Sequence, residues 1–316
     1  MSALRLGTLV VLFRPSAAQV DHVARLAVLC APTVAVDNSP IPDQSVHHRL
    51  AASGATIIVN ANRGGIGGAF NLGLRHLQSR GATTAVLLDQ DSTVPAGLLE
   101  TLAHACQSLD MPDYIIGPRV FDINARRCVP AMTFTRFRLR CRSVDACPPS
   151  ALLPCSFLVS SGSVISLSAY ERIGHFNEDF VVDHVDSDYC LRAQACGVMV
   201  AMSCAATLEH QLGRMTTHRL FGLALTTSNH PALRRYYFAR NAIRLARTHG
   251  RRLPSVALVN LLTVWQMVAV VLFEADKFSK TVAALAGMVD GLANRSGPVE
   301  SCRPTLAKRW AADTSS

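Results

Sequence analysis

Two carboxylates separated by one residue stand where a run of apolar residues ends. Asp89 and Asp91 lie in the stretch AVLLDQDSTVP, directly after AVLL. Such a pair can share one Mg²⁺ or Mn²⁺, and that ion can hold a diphosphate. The same stretch would also suit a solvated turn, in which Ser92 caps the helix that follows Pro95.

A second acidic cluster lies in VVDHVDSDYCLRA, with Asp183, Asp186 and Asp188 within six residues. On a helix, Asp183 and Asp186 share a face while Asp188 points elsewhere. A carboxylate beside an acceptor hydroxyl can act as a general base. The structural alternative is an acidic helix N-terminus, which the helix dipole favours. His210, in LEHQLG, is either a ligand or a structural hydrogen-bonding residue, and its role depends on the acids.

The glycine-rich stretch NRGGIGGAFNLGL spans Asn62–Leu74. It fails the dinucleotide-binding pattern, because Phe70 stands where the third glycine is required. We therefore expect these glycines to let a helix N-terminus approach a neighbouring segment or a ligand closely.

These residues need a scaffold, and the first third of the chain predicts one. The apolar runs LGTLVVLF, TVAVDN, ATIIVN and TTAVLLD alternate with helical patterns. This alternation predicts a parallel sheet covered by helices on both faces. Ligands bind such sheets beyond the carboxyl ends of the strands, and Asp37 and Asp89 both fall at that edge. The middle of the chain, from RVFDINARRC to RSVDACPPS, is interpreted as an insertion or a set of loops.

Composition narrows the classes of partner. The 316-residue chain has a net charge of +9, which suits an anionic partner. Nucleic acid is disfavoured, because the basic residues form no long run and no patch interleaved with aromatics. Ten cysteines are scattered without metal-ligand spacing, which predicts reduced thiols in a cytosolic protein. The N-terminal MSALRLGTLVVLFRP lacks a cleavage site and predicts a first strand, not a signal peptide.

The uncharged segment Leu253–Phe273 is long enough to span a bilayer. Its polar residues share one arc of a helical wheel, which predicts an amphipathic helix lying on a membrane or against a partner chain. A true span is the alternative. The polar residues are Ser255, Asn260, Thr263 and Gln266. Basic flanks that suit anionic head groups are Arg251, Arg252, Lys277 and Lys280.

Seven short motifs follow one another between about Leu6 and Ala246: V-D-N-S, N-R-G-G-x-G-G-A-x-N-x-G-L, L-L-D-Q-D-S, S-S-G, F-V-V-D-H-V-D-S-D-Y-C-L-R-A, E-H-Q-L-G and R-R-Y-Y-x-A-R-N. The order of these motifs resembles family 2 glycosyltransferases of the GT-A fold. It is especially similar to bacterial rhamnosyltransferases, including those of rhamnolipid synthesis.

The resemblance implies an α/β protein with a Rossmann-like, mostly parallel sheet flanked by helices and a C-terminal helical extension. Residues 1–230 would form the GT-A domain, with a nucleotide-sugar half at about 1–120 and an acceptor half at about 121–230. Residues 231–316 would form a helical region associated with a membrane or a partner.

The resemblance also implies roles for individual residues. Asp186 would be the catalytic base, with Asp183 in reserve because Val185 stands where many relatives have Glu. Asp91 would hold the metal, with Asp89 beside it on the ribose or diphosphate side and His210 completing the site. The remaining contacts to the nucleotide sugar would come from Asp37 on the base, from Arg240 and Asn241 on the diphosphate, and from Asn62 and Arg63.

The implied reaction is an inverting transfer of L-rhamnose from dTDP-L-rhamnose, dependent on Mg²⁺ or Mn²⁺. The acceptor would be a glycolipid, with mono-rhamnolipid converted to di-rhamnolipid on the cytoplasmic side of the bacterial inner membrane. The enzyme would be peripheral or weakly anchored there, and a homodimer is left open. Alternatives are a rhamnosyltransferase of O-antigen or another polysaccharide, and an inactive scaffold that binds nucleotide or lipid. A metal-dependent phosphohydrolase would need neither Asp37 nor His210.

Overall fold

The computed structural model describes residues 4–30, 32–210, 216–220 and 223–312, without the side chains of residues 210, 217–220, 223–226 and 311–312. The strands are β1 Leu6–Leu12, β2 Thr33–Asp37, β3 Thr56–Val59, β4 Thr84–Asp89, β5 Tyr114–Asp122, β6 Arg127–Cys128, β7 Ala131–Phe134, β8 Leu139–Arg142, β9 Leu152–Pro154, β10 Val164–Ser166, β11 Met199–His210, β12 Thr216–Leu220 and β13 Leu223–Thr227. The helices are α1 Ala17–Leu29, α2 Gln44–Ala52, α3 Gly65–Ser79, α4 Leu98–Gln107, α5 Leu167–Ile173, α6 Val185–Ala195, α7 Ala232–His249, α8 Leu258–Phe273, α9 Lys277–Leu292, α10 Val299–Cys302 and α11 Pro304–Ala312. Short 3₁₀ turns cover Glu178–Phe180 and Pro254–Ala257.

The central sheet has the strand order β3-β2-β1-β4-β10-β5-β11-β9, with β6 paired to β5. The first four strands pair in parallel, as do β5 and β11, while β10 and β9 run antiparallel to their neighbours. Helices cover both faces, and each face has its own buried apolar cluster. This confirms the predicted α/β class, and the predicted first strand is β1, Leu6–Leu12.

The strands β2 and β4 end at Asp37 and Asp89, on the same edge of the sheet. Residues inside these strands are buried on both faces, which explains their continuous apolar runs. Because β1 lies between β2 and β4, the two acids follow strands separated by one neighbour.

The middle of the chain is more regular than predicted. Strands β7 and β8 form an antiparallel hairpin whose tip is residues 135–138. The turns that follow bring Cys147 to Cys204 on β11, and the two form a disulfide. The expectation of ten reduced cysteines is therefore wrong for this pair. A bond between residues 57 positions apart depends on tertiary structure, which cysteine spacing does not reveal.

The C-terminal helices pack around α7. Asp290 on α9 is fully buried, accepts a hydrogen bond from the Tyr236 hydroxyl on α7 at 2.8 Å, and pairs with Arg295 and Arg303. These contacts fasten α9 and the segment beyond it to the middle of α7. The same helix, α7, reaches back to the acidic segment of the domain before it.

Candidate functional site

Residues 89–91, here called the D-x-D turn, follow directly from β4. Asp89 is partly buried and Asp91 is exposed. The backbone N–H of Asp89 donates to the Ser161 hydroxyl at 3.4 Å, and that hydroxyl also contacts Ser92. Ser92 is buried and does not cap the next helix, which begins after Gly97. The S-S-G motif thus supports the base of the turn and leaves Asp91 facing solvent.

Residues 179–186, here called the acid loop, carry the second cluster up to the first turn of α6. Asp183 forms a two-pronged ion pair with Arg234 of α7, with Nε 3.1 and 3.2 Å from its two oxygens. Asp186 accepts a hydrogen bond from the backbone N–H of Ser187 at 2.8 Å. Asp188 points away, as predicted, and is buried against Arg192 and His249.

The acid loop has an unusual backbone. Val181, Asp183 and His184 all have positive φ, of 63°, 59° and 61°. Such a conformation costs about 1–3 kcal/mol per residue, and it is rarest for a β-branched side chain such as Val181. The surrounding structure must therefore hold the loop in this shape.

Two motifs hold the acid loop from opposite sides. From α7, the amide nitrogen of Asn241 lies 2.8–2.9 Å from the carbonyl oxygens of Phe180, Val182 and Asp183. From α3, the backbone of Gly65 packs so closely on Val181 that an added Cβ would lie 2.0 Å from the Val181 carbonyl oxygen. The glycine-rich stretch therefore makes the close approach that the sequence predicts, and its neighbour is this loop.

Arg240 and Asn241 do not fit the expected contact with a diphosphate. Both side chains are 0% exposed. Arg240 donates to the carbonyl oxygens of Asp179 and Phe180 at 2.8 and 3.3 Å, and its Nε donates to Asn241. Because the donors of Arg240 and Asn241 are already hydrogen-bonded to the chain's own backbone, we infer that the pair positions the acid loop.

The electrostatics of the acid loop differ from one residue to the next. Burial raises the pKa of Asp186 to about 6, and the charges of Asp183 and Asp89 add to the rise. Backbone N–H groups of Ser187 and Ser160 oppose it. Part of Asp186 remains accessible to solvent. A carboxylate with a pKa near neutrality can accept a proton efficiently at physiological pH.

Arg234 links the two acidic segments. The charge of Asp183 raises the pKa of Arg234, and the charges of Asp89 and Asp186 contribute in the same direction. Arg234 therefore contacts the acid loop through Asp183 and lies within the electrostatic field of Asp89 in the D-x-D turn. About 45% of the Arg234 side chain is exposed, so it can also reach a ligand.

The predicted nucleotide end of the site is a buried polar network. Asp37 is 2% exposed, with one oxygen bonded to the Ser39 N–H at 2.9 Å and the other to His47 at 2.7 Å. Direct contact between Asp37 and the base of a nucleotide would therefore require His47 to move. Asn62 accepts from Asn38, and the exposed Arg63 donates from Nε to the Asn60 carbonyl.

Comparison with known proteins decides the fold. No family model matches the sequence. The dTDP-rhamnosyl transferase RfbF of Shigella flexneri is 27% identical over 183 residues, which cover 58% of this chain and 60% of that relative. Staphylococcus aureus TarS 1–349 in complex with UDP-GlcNAc matches with a TM-score of 0.55 at 11% identity, over 91% of this chain and 81% of that one. GalNAc-T7 with UDP, GalNAc and Mn²⁺ matches with a TM-score of 0.54 at 10% identity, over 92% of this chain and 56% of that one. The chain has the GT-A fold.

Within the GT-A fold, the D-x-D turn offers the donor set of a divalent cation. Asp89 and Asp91 supply the hard carboxylate oxygens that Mg²⁺ and Mn²⁺ prefer. The backbone of Thr93 bridges to Glu209, which brings the end of β11 and His210 beside the turn. The His210 side chain lies outside the described residues, and the part of the chain that is described holds no group of three metal ligands. The two carboxylates fit a cation that also binds a diphosphate.

Sequence reasoning missed Arg234, His47 and His184. The motif R-R-Y-Y-x-A-R-N contains three arginines, and nothing in its letters tells which one faces the acids. His184 packs on Phe238 at a ring-centroid distance of 4.7 Å, and its Nε2 has no hydrogen-bond partner among the described residues. Burial lowers the pKa of His184 to about 4, so its ring is neutral at physiological pH.

Proposed function

We propose that the chain is an inverting, metal-dependent glycosyltransferase that moves L-rhamnose from dTDP-L-rhamnose to a glycolipid. The proposed acceptor is mono-rhamnolipid and the product di-rhamnolipid, as in rhamnosyltransferase 2 of rhamnolipid synthesis. The observation that carries this proposal is Asp186, a partly accessible carboxylate at the start of α6 whose pKa is raised to about 6 by burial and by the charges of Asp183 and of Asp89 in the D-x-D turn. The similarity to a dTDP-rhamnosyl transferase supports the donor.

Asp186 is the proposed general base. An acceptor hydroxyl gives its proton to Asp186 while its oxygen forms a bond to the anomeric carbon of the donor. The bond from that carbon to the diphosphate oxygen breaks, and dTDP leaves from the opposite face. One displacement of this kind inverts the configuration. Asp183 is less suited to the role, because its carboxylate is already paired with Arg234.

Asp89 and Asp91 are the proposed ligands of Mg²⁺ or Mn²⁺, with His210 as a further ligand. When bound, the ion would neutralise charge on the leaving diphosphate. Arg234, which pairs with Asp183 of the acid loop and is partly exposed, is the proposed contact of the diphosphate in place of Arg240 and Asn241. Asp37, Asn62 and Arg63 remain proposed contacts on the nucleotide side.

We propose a peripheral location on the cytoplasmic face of the inner membrane, where a glycolipid acceptor is available. Among the described residues, Pro254–Phe273 is long and apolar enough to cross a membrane by length and composition, with a mean hydropathy of 2.2. The region from residue 231 onward is proposed to serve this attachment.

Mass spectrometry of products tests the proposal. Purified protein is incubated with dTDP-L-rhamnose, a divalent ion and mono-rhamnolipid, and a gain of one deoxyhexose on the lipid is expected together with release of dTDP. Transfer only to a polysaccharide acceptor would contradict the rhamnolipid acceptor and favour the alternative, a rhamnosyltransferase of O-antigen or another polysaccharide. Binding of dTDP-L-rhamnose without release of dTDP in the presence of either acceptor would indicate an inactive scaffold.

A further inference from the structure

Helix α8 is amphipathic in the reverse of the usual sense, with its apolar face outward. Thr263 is buried, and Gln266 accepts a hydrogen bond from Arg235 of α7. The outward residues follow helical spacing, and each is 38–64% exposed: Leu258, Leu261, Leu262, Val264, Trp265, Val268, Val271 and Leu272. An apolar surface of this size on a folded protein indicates a binding face.

The β7–β8 hairpin extends this face at its N-terminal end. Its tip contacts the 3₁₀ turn that leads into α8, because the Ser255 N–H donates to the Arg136 carbonyl at 3.2 Å and the Ser255 hydroxyl donates to the Thr135 carbonyl. Phe137 at the tip is 71% exposed. It lines one surface depression together with Pro254, Ala257, Leu258 and Leu261.

Positive charge borders the apolar residues. The segment from Thr135 to Arg142 reads TRFRLRCR, with four exposed arginines and no acid. Arg251 and Arg252 are exposed just before the helix, and no acid occurs between residues 250 and 273. Apolar side chains bordered by arginines match a bilayer with anionic head groups, where the side chains enter the acyl boundary and the arginines stay at the phosphates.

We propose that the outward face of α8 and the hairpin tip 135–138 form one docking surface for an anionic bilayer. This deepens the proposed peripheral location and rests on that part of the proposed function, but it uses no residue of the transfer site. The helix lies in the plane of the interface, because its inner face is packed on α7 and α9. A span would require that packing to be lost.

Trp265 provides a direct readout on the full-length protein. The chain has two tryptophans, Trp265 on the docking surface and Trp310, which is 1% exposed. With phosphatidylcholine vesicles containing phosphatidylglycerol, and without donor, we expect tryptophan emission to shift to shorter wavelength and to be quenched by brominated acyl chains. Trp265→Phe should abolish this response and Trp310→Phe should keep it. Quenching that persists in Trp265→Phe would contradict the proposal.

Vesicle flotation tests the two halves of the surface. Removing or reversing two cationic contacts with anionic lipid should weaken binding at least about tenfold, so we expect this from Arg136→Glu/Arg138→Glu and a similar loss from Phe137→Glu. Matched controls are Arg126→Glu/Arg127→Glu, two exposed arginines where the β5–β6 turn meets β6, and Leu29→Glu, 79% exposed at the end of α1. Binding should also fall at high salt.

Several outcomes would overturn the proposal. Equal flotation of the hairpin variants and controls would exclude the hairpin, and light scattering that shows a dimer without vesicle binding would assign the face to a second copy. Release from native membranes only by detergent would indicate a span. Because these assays contain no donor, a loss of vesicle binding with normal transfer to a detergent-dispersed acceptor would leave the proposed chemistry intact.

Discussion

The D-x-D turn and the acid loop both carry carboxylates whose charges raise the pKa of Arg234, but the protein holds the two segments very differently. The acid loop has three residues at positive φ and is fixed through its carbonyl groups by the buried Arg240 and Asn241. The D-x-D turn rests on Ser161 at its base and leaves Asp91 exposed. A turn of this kind can adjust to a cation and a diphosphate as they bind. A general base gains from being held in place before the substrate arrives.

The largest expected effect concerns the D-x-D turn. Asp91→Ala should abolish transfer, because the exposed carboxylate is the proposed metal ligand, and EDTA should inhibit the unmodified protein. The melting temperature of Asp91→Ala should change little, since substitutions at exposed positions typically alter the free energy of unfolding by less than about 0.5 kcal/mol. Activity is measured as product formation, and stability is measured by thermal melting. Asp110→Ala, an exposed acid before β5, is the control. Full activity in EDTA would rule out the metal role.

The next effect concerns Asn241, whose contacts hold the acid loop. Its replacement should reduce activity less than Asp91→Ala does, but it should also reduce stability. Asn241→Asp keeps the shape of the side chain but places oxygen against three carbonyl oxygens. Leaving buried polar groups unsatisfied costs about 1–3 kcal/mol, so the melting temperature should fall and turnover should drop by roughly 10- to 100-fold. Hydrogen exchange should rise in residues 180–184. Thr248→Ala, at an exposed position of the same helix, should change neither the melting temperature nor turnover. An unchanged hydrogen-exchange rate in residues 180–184 would show that Asn241 does not hold the acid loop.

The smallest expected effect is on stability and depends on pH. Because the pKa of Asp186 is raised to about 6 in the folded state, its ionised form opposes folding above that pH. Asp186→Asn should therefore raise the melting temperature at pH 8, on the order of a few degrees. The difference should shrink as the pH falls below about 6 and vanish only below 3.8, the ordinary pKa of the carboxyl, where it is protonated in both states. A lower melting temperature at pH 8 would contradict the burial of this charge.

Much of the scaffold could be predicted from the sequence because it depends on local patterns. Apolar runs that end at Asp37 and Asp89 predict strands whose carboxyl ends share an edge, and the structure has that arrangement. The docking of α7 on the acid loop could not be predicted, because it depends on which side of a helix faces a loop about 60 residues earlier. For the same reason Arg240 was expected at the diphosphate, and Arg234 was missed. The polar arc of α8 was visible in the sequence, but its inward direction was not.

The central claim is that Asp186, and not Asp183, accepts the proton. The most direct test is kcat/KM as a function of pH for the unmodified protein, Asp186→Asn and Asp183→Asn, with dTDP affinity measured alongside. The unmodified protein should lose activity as the pH falls below about 6, the pKa of Asp186. Asp186→Asn should be slower by about 10²–10⁴ with dTDP affinity retained and no acidic limb. Asp183→Asn should still lose activity as the pH falls below about 6, and its kcat/KM at neutral pH should be reduced less than that of Asp186→Asn. An inactive Asp183→Asn beside a nearly normal Asp186→Asn would contradict the account.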